Sequence, residues 1–153
     1  MASKKTTLTA ATVAQHELEF EMRATPARVW KALIAEMDAW WLPDFRMSPG
    51  SRRVVLEPTV GGRWYEDAGD GGLLWGHVIA IDPGKSIHLA GHIAPPWGAS
   101  QFLMQFAVEP AARHTLLRIS HAMFGLVTEE ASTCTADGWR RLFGEGLKAH
   151  VER

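Results

Sequence analysis

The stretch Trp139-Arg140-Arg141-Leu142-Phe143-Gly144-Glu145-Gly146-Leu147-Lys148-Ala149-His150-Val151 decides the fold. Within it Trp139, Leu142, Phe143, Gly146, Leu147, His150 and Val151 recur at the i, i+3, i+4, i+7 spacing of one buried helical face. From Arg52 to Phe124 the preceding chain reads almost entirely as β-strand, with one short helix before it. An antiparallel sheet with so little helix to cover it must curl around the last helix, and a curled sheet leaves a hollow against that helix. Gly138, Gly144 and Gly146 lie inside the helix, where a glycine costs about 1 kcal/mol relative to alanine. Gly146 falls on the buried stripe itself. Either the sheet approaches closely there, or the missing side chain leaves room for something else.

Working outward, residues 1–14 read as a flexible Thr-rich tail and residues 15–153 as one domain. From His16 to Arg23 the chain alternates, with Leu18, Phe20 and Met22 on one face and Glu17, Glu19, Glu21 and Arg23 on the other. Thr25-Pro26 opens a helix, Thr25 as N-cap and Pro26 at the first helical position, with Val29, Trp30, Leu33, Ile34 and Met37 as its apolar stripe. Pro43 stops helical structure after Trp40-Trp41-Leu42, and 43–51 is a loop. Six strands follow: Arg52–Glu57, Gly62–Asp67, Leu73–Ile81, Ser86–Ile93, Gln101–Glu109 and His114–Phe124. Gly61-Gly62, Asp70-Gly71-Gly72, Asp82-Pro83-Gly84, the Pro-Pro-Trp-Gly loop at 95–98 and Pro110–Arg113 separate them. The last helix begins near Thr128 and runs to about His150. The expected architecture is α+β, β-α-β-β-β-β-β-β-α, a curved antiparallel meander of about seven strands wrapped around the C-terminal helix. Strand one is free to pair with the last strand.

Composition narrows the function classes. The chain has 153 residues, 46% of them hydrophobic, and a formal net charge of −1, so neither nucleic acid nor an anionic membrane is an expected partner. No apolar run is long enough for a membrane span. Lys4-Lys5 leads into Thr-rich sequence rather than the apolar core of a signal peptide. The single cysteine, Cys134, excludes an intramolecular disulfide, suits a reducing cytoplasm and has no base beside it. Seven tryptophans against one tyrosine is heavy indole usage, suited to cores, cavity walls and interfaces.

The order of elements and several local motifs together resemble the START-like (SRPBCC) superfamily with its helix-grip fold, in the branch of Hsp90-ATPase-activator homologues. The residues that carry the likeness are Ala24-Thr25-Pro26-Ala27-Arg28-Val29-Trp30-Lys31-Ala32-Leu33, Trp40-Trp41, Gly61-Gly62-Arg63-Trp64, Gly76-His77-Val78 and Ile81-Asp82-Pro83. Leu117-Arg118-Ile119-Ser120-His121-Ala122-Met123-Phe124 and Asp137-Gly138-Trp139-Arg140-Arg141-Leu142 complete it, over about residues 16–152. The resemblance implies a container for a lipid or other hydrophobic molecule; a minority of the superfamily are enzymes, and the branch takes its name from a co-chaperone domain.

Candidate chemistry is sparse. His88 and His92 share the strand face opposite Ile87, Leu89 and Ile93, and with no HExxH or Cys/His array a metal is not expected. His121 shares parity with Leu117 and Ile119, so it points inward, where a neutral imidazole needs a hydrogen-bond partner and could orient a ligand or act as a general base. Glu66 shares a face with Trp64, but the Gly-Gly bend leaves open whether that face is inward. No GxSxG elbow or phosphate cradle is present. Phe102, Met104, Phe106 and Val108 alternate on one face; Trp64, Trp139 and Phe143 can converge with them, and Trp41 sits near the expected mouth. Trp41, Trp64, Phe102, Met104, Phe106, His121, Trp139 and Phe143 are therefore the candidate cavity lining, read equally well as core.

The leading expectation is a cytoplasmic protein, with no cofactor and no catalysis, that binds a small, mostly hydrophobic molecule or lipid between sheet and helix. The alternatives are a cyclase, hydrolase or lyase using His121, with or without Glu66, and a co-chaperone-like module acting on a chaperone ATPase. A homodimer anchored by an exposed Trp75 or Trp97 is compatible with each.

Overall fold

The computed structural model describes residues 4–92 and 98–153. Seven antiparallel strands form one sheet in the order β1-β7-β6-β5-β4-β3-β2: β1 (Thr12–Met22), β2 (Arg53–Leu56), β3 (Arg63–Ala68), β4 (Gly71–Asp82), β5 (Ser86–His92), β6 (Ser100–Pro110) and β7 (Thr115–Gly125). β1 does pair with β7, from Thr12↔Gly125 to Met22↔Thr115, so it begins earlier than the alternation at His16 announces. The expected Ser86–Ile93 strand is seen to His92; Ile93 and most of the 95–98 loop, Trp97 included, lie outside the described residues.

Helix α1 (Pro26–Ala35) starts as its sequence requires, the Thr25 hydroxyl accepting the Arg28 N–H and Pro26 occupying the first turn. It buries Val29, Ala32, Leu33 and Ile34, and breaks at Glu36. Met37 therefore belongs to a separate short helix, α2 (Met37–Trp40), followed by a 3₁₀ turn at Pro43–Phe45 inside the expected loop. The Asp38 Oδ1 accepts from Val54 N at 2.8 Å and from Arg46 Nη2 at 2.8 Å, tying α2 to the edge strand β2. The β3–β4 hairpin turns at Gly69-Asp70, one residue before the Asp-Gly-Gly signal, because Ala68 pairs with Gly71 and Gly69 supplies the positive φ of 79°.

The C-terminal helix changes character midway. Thr128 caps α3 (Glu129–Arg141), accepting the Ala131 N–H at 3.1 Å, with Glu129 and Glu130 in its first turn and Arg140 and Arg141 in its last, as the helix dipole favours. Leu142–Lys148 is then π-helical, and Ala149–Val151 returns to α-helix. The sequence pattern predicts a plain α-helix here; instead i→i+5 bonding widens the turn, and Leu142, Phe143, Gly146 and Leu147 all remain buried. Gly146 faces α2 rather than the sheet or a void. A Cβ there would lie 2.5 Å from the Trp40 carbonyl oxygen. The core sits between this helix and the concave sheet face, built from the alternating inward residues of β6 and β7 and the stripe of α1.

Candidate functional site

The inward faces of β3, β6 and β7 and the underside of the C-terminal helix deliver an aromatic layer. Trp64 (β3), Phe102, Met104 and Phe106 (β6), His121 (β7), Trp139 (α3), Phe143 and Trp41 are all buried. The seven of them that carry rings form one network, with centroids 5.4 to 6.4 Å apart. Within it, Trp64, Trp139, His121 and Phe102 close a circuit with successive separations of 6.4, 5.7, 5.7 and 6.2 Å. The space expected to be hollow is occupied by these rings. Depressions among the described residues open on the outer sheet face, beside Ile79, His88 and Leu103 and beside Leu74, His77 and Gln101, and also at the ends of β5–β7, at the β3–β4 hairpin and beside α2. Trp41 is not at a mouth but inside, its indole N–H donating to the Phe45 carbonyl at 3.2 Å.

Trp75 is also buried, so it cannot anchor an intermolecular contact. The reason is a β-bulge: Tyr65 pairs with Leu74 and Trp64 with Gly76, leaving Trp75 as the extra residue, turned inward against Trp64 at 5.6 Å.

Glu66 points inward with Trp64 and is 1% exposed. Its Oε1 accepts from Met47 N at 2.9 Å and Trp75 Nε1 at 3.1 Å, and its Oε2 from Ser48 N at 2.9 Å. Three donors occupy this carboxylate, so it fastens the 46–48 segment to the sheet and has little capacity left for acid–base work.

His121 is 2% exposed, and its partner is His16, the residue directly across the β1–β7 ladder. The two Nδ1 atoms are 3.2 Å apart, with the rings 13° from parallel. At that distance one imidazole donates and the other accepts, so the accepting ring must be neutral and the two cannot both be charged. His16 Nε2 in turn contacts Ser132 Oγ of α3 at 2.9 Å. Burial pushes the His121 pKa down to about 4, with the neighbouring His16 adding to the effect. His16 is lowered too, by burial and by the Arg140 guanidinium. Ser132–His16–His121 thus runs from α3 to the aromatic layer, and His121 Nε2 is turned away from His16. Sequence reasoning finds His121 but misses His16, although His16 shares the parity of Leu18, Phe20 and Met22 and faces β7 once the strands pair.

Two polar atoms in the layer have no partner among the described residues. The indole nitrogens of Trp64 and Trp139 are buried without a hydrogen bond among the described residues. The other five histidines stand apart: His77 and His92 are exposed, His88 lies on the outer face beside Ile79 and Leu103, His114 lies 3.9 Å from Glu21 and His150 pairs with Glu36 at 2.7 Å; Cys134 is exposed on α3.

Comparison with known proteins places this architecture. The family model described as Activator of Hsp90 ATPase homolog 1-like protein matches residues 23–152. None of the curated proteins compared matches the chain. Among solved structures, protein MLL2253 from Mesorhizobium loti is similar at 22% identity and a TM-score of 0.70, over 89% of this chain and 95% of that one. The Aha1 dimer from Colwellia psychrerythraea is similar at 19% identity and a TM-score of 0.65, over 91% and 96%. Ara h 8.0201 is similar at 14% identity and a TM-score of 0.64, over 92% and 98%. At these identities the likeness is one of fold: the helix-grip arrangement of a curved sheet around a C-terminal helix.

Proposed function

This chain belongs to the Activator of Hsp90 ATPase homolog 1-like family, and we propose that it binds a small, mostly hydrophobic molecule between the concave sheet and the C-terminal helix. The observation that carries the reading is the aromatic layer. Trp41, Trp64, Phe102, Phe106, Trp139 and Phe143 bring rigid apolar surface to one place, with His121 and two unpaired indole donors as its few polar groups. Sparse polar atoms among aromatic walls are what ligand pockets are built from. Because the rings now touch one another, uptake requires them to part, and the C-terminal helix is the element that moves. Its π-helical stretch at Leu142–Lys148, next to Trp139, supports that role, since such stretches recur at functional sites. His121, neutral and inward, orients the bound molecule. Native mass spectrometry of the freshly purified protein tests the proposal. A noncovalent organic adduct, removed by denaturation, is the expected result; the bare polypeptide mass after gentle purification, with no uptake of added apolar probes, would defeat it.

A second reading concerns assembly. Leu74, Ile79 and Leu103 are 44 to 51% exposed on the outer sheet face, and a second copy of this chain is the occupant that would cover them. The dimeric relative supports self-association. Light scattering coupled to size exclusion reads it directly: a dimer that Leu103→Glu converts to monomer supports it, and a wild-type monomer at high concentration removes it.

A further inference from the structure

Resting on that reading of the interior, we propose that the molecule taken up is a neutral carbonyl compound, aromatic or alicyclic, whose oxygen is received by the indole N–H groups of Trp64 and Trp139. Five tryptophans contribute to the buried core, and three have dedicated acceptors. Trp40 donates to the Ala32 carbonyl at 2.8 Å, Trp41 to the Phe45 carbonyl at 3.2 Å and Trp75 to Glu66 at 3.1 Å. The two without an acceptor among the described residues are neighbours, Trp64 and Trp139, whose rings lie 6.4 Å apart at 32°. Trp64 is 0% and Trp139 8% exposed, so solvent does not satisfy them. Each buried, unmet donor costs about 1–3 kcal/mol, a penalty phenylalanine would avoid at either position.

The surroundings define what the missing acceptor is. Glu66 has both oxygens engaged and cannot turn to these donors. His121 is bound through Nδ1 to His16 and is uncharged at neutral pH, and Phe102 completes the circuit, so none of these neighbours offers a cation to an anionic ligand. An uncharged acceptor on an apolar body satisfies the donors without burying a charge, which an apolar interior resists strongly. A carbonyl oxygen has two lone pairs and accepts from one or both indoles.

A matched pair of probes provides the test: tetralin and 1-tetralone share a fused ring skeleton and differ by one carbonyl. Their affinities are measured by calorimetry, and the indole N–H signals of 15N-labelled protein are followed during each titration. Phenylalanine replacements of Trp64 and Trp139 assign the two signals. The expected result is that 1-tetralone binds about tenfold more tightly than tetralin, the gain of one satisfied buried donor. It shifts the Trp64 or Trp139 indole proton downfield and leaves Trp75, already bonded to Glu66, in place. Equal affinities with unmoved indole signals would overturn the carbonyl assignment while leaving the container reading standing. Indole signals in contact with a resident water that 1-tetralone binds without displacing would overturn it equally. Binding of neither probe would bring down the container reading and this inference with it. The wild-type comparison needs no variant to fold.

Discussion

Acidification from pH 7.5 to pH 4.5 should destabilise this protein mainly through one residue, His121. Its imidazole is held neutral by burial and by the adjacent His16 ring, with a folded pKa of about 4 against the 6.5 of an unperturbed histidine. The folded value lies below the unfolded one, so the neutral form's stability is fully present above pH 6.5 and is lost as pH falls toward 4. At a little over 1 kcal/mol per pKa unit the full loss is roughly 3 kcal/mol, and most of it has occurred by pH 4.5. His16, lowered by its burial and by Arg140, acts in the same direction. The other groups facing the pair are Ser132, hydrogen-bonded to His16, and the rings of Phe102 and Trp139, none of which titrates in this range. Urea denaturation followed by tryptophan fluorescence, run at both pH values on wild type and on His121→Phe, isolates the effect. The variant keeps a ring against Phe102 and Trp139 but cannot be protonated, while the burial and the Arg140 guanidinium that lower His16 are present in both proteins. The wild type should lose about 2 kcal/mol more than the variant over this interval. Losses equal to within about 0.5 kcal/mol would refute the reasoning, because His121 would then not be pinned neutral by the fold.

Other substitutions probe separate contacts. Gly146→Ala places a Cβ 2.5 Å from the Trp40 carbonyl and should destabilise by about 1–3 kcal/mol despite alanine's better helix propensity. Gly138→Ala, whose Cβ would meet only Phe45 at 3.5 Å, should stabilise by up to about 1 kcal/mol. Thermal melts compare them, and a Gly146→Ala protein as stable as wild type would contradict the close approach. Glu66→Gln offers one oxygen to three donors and brings an NH₂ among them; a loss of about 2 kcal/mol in urea at pH 7 is expected, and unchanged stability would show that the 46–48 segment does not depend on this carboxylate. Glu36 is held at about 2 by its hydrogen bonds to His150 and Arg28, so its contribution is present above pH 4.5 and lost as pH falls toward 2. Glu36→Gln should flatten the stability profile below pH 4.5 and leave the histidine window above it untouched, which urea midpoints at pH 6, 4.5 and 3 will reveal.

Much of this arrangement is legible in the amino-acid sequence. Period-two alternation places Phe102, Met104 and Phe106 on the inner face, because side-chain direction in a regular strand needs no tertiary information. The Thr25-Pro26 start of α1 is equally local. Legibility ends where parity is reset. The Gly61-Gly62 bend hides the direction of Glu66, and the bulge opposite Trp64 and Tyr65 turns Trp75 inward where the sequence suggests exposure. The π-helical turn is invisible because i→i+5 bonding has no residue signature; Gly144 and Gly146 hint only that the α-helix is weak there. Gly146 stands out on the helical stripe, but its neighbour is the Trp40 carbonyl of another helix, a contact between elements distant in the chain. The unpaired indoles of Trp64 and Trp139 belong to the same class: composition shows the tryptophans, and only the fold shows which of them lack an acceptor.

The central claim is that the interior between sheet and C-terminal helix opens to hold a small apolar molecule. A crystal structure of the protein grown with 1-tetralone tests it most directly. Ligand density among Trp64, Phe102, His121 and Trp139, with α3 displaced from the sheet, is the predicted result. Density confined to the outer face beside Ile79 and Leu103, over an unchanged aromatic layer, would contradict it.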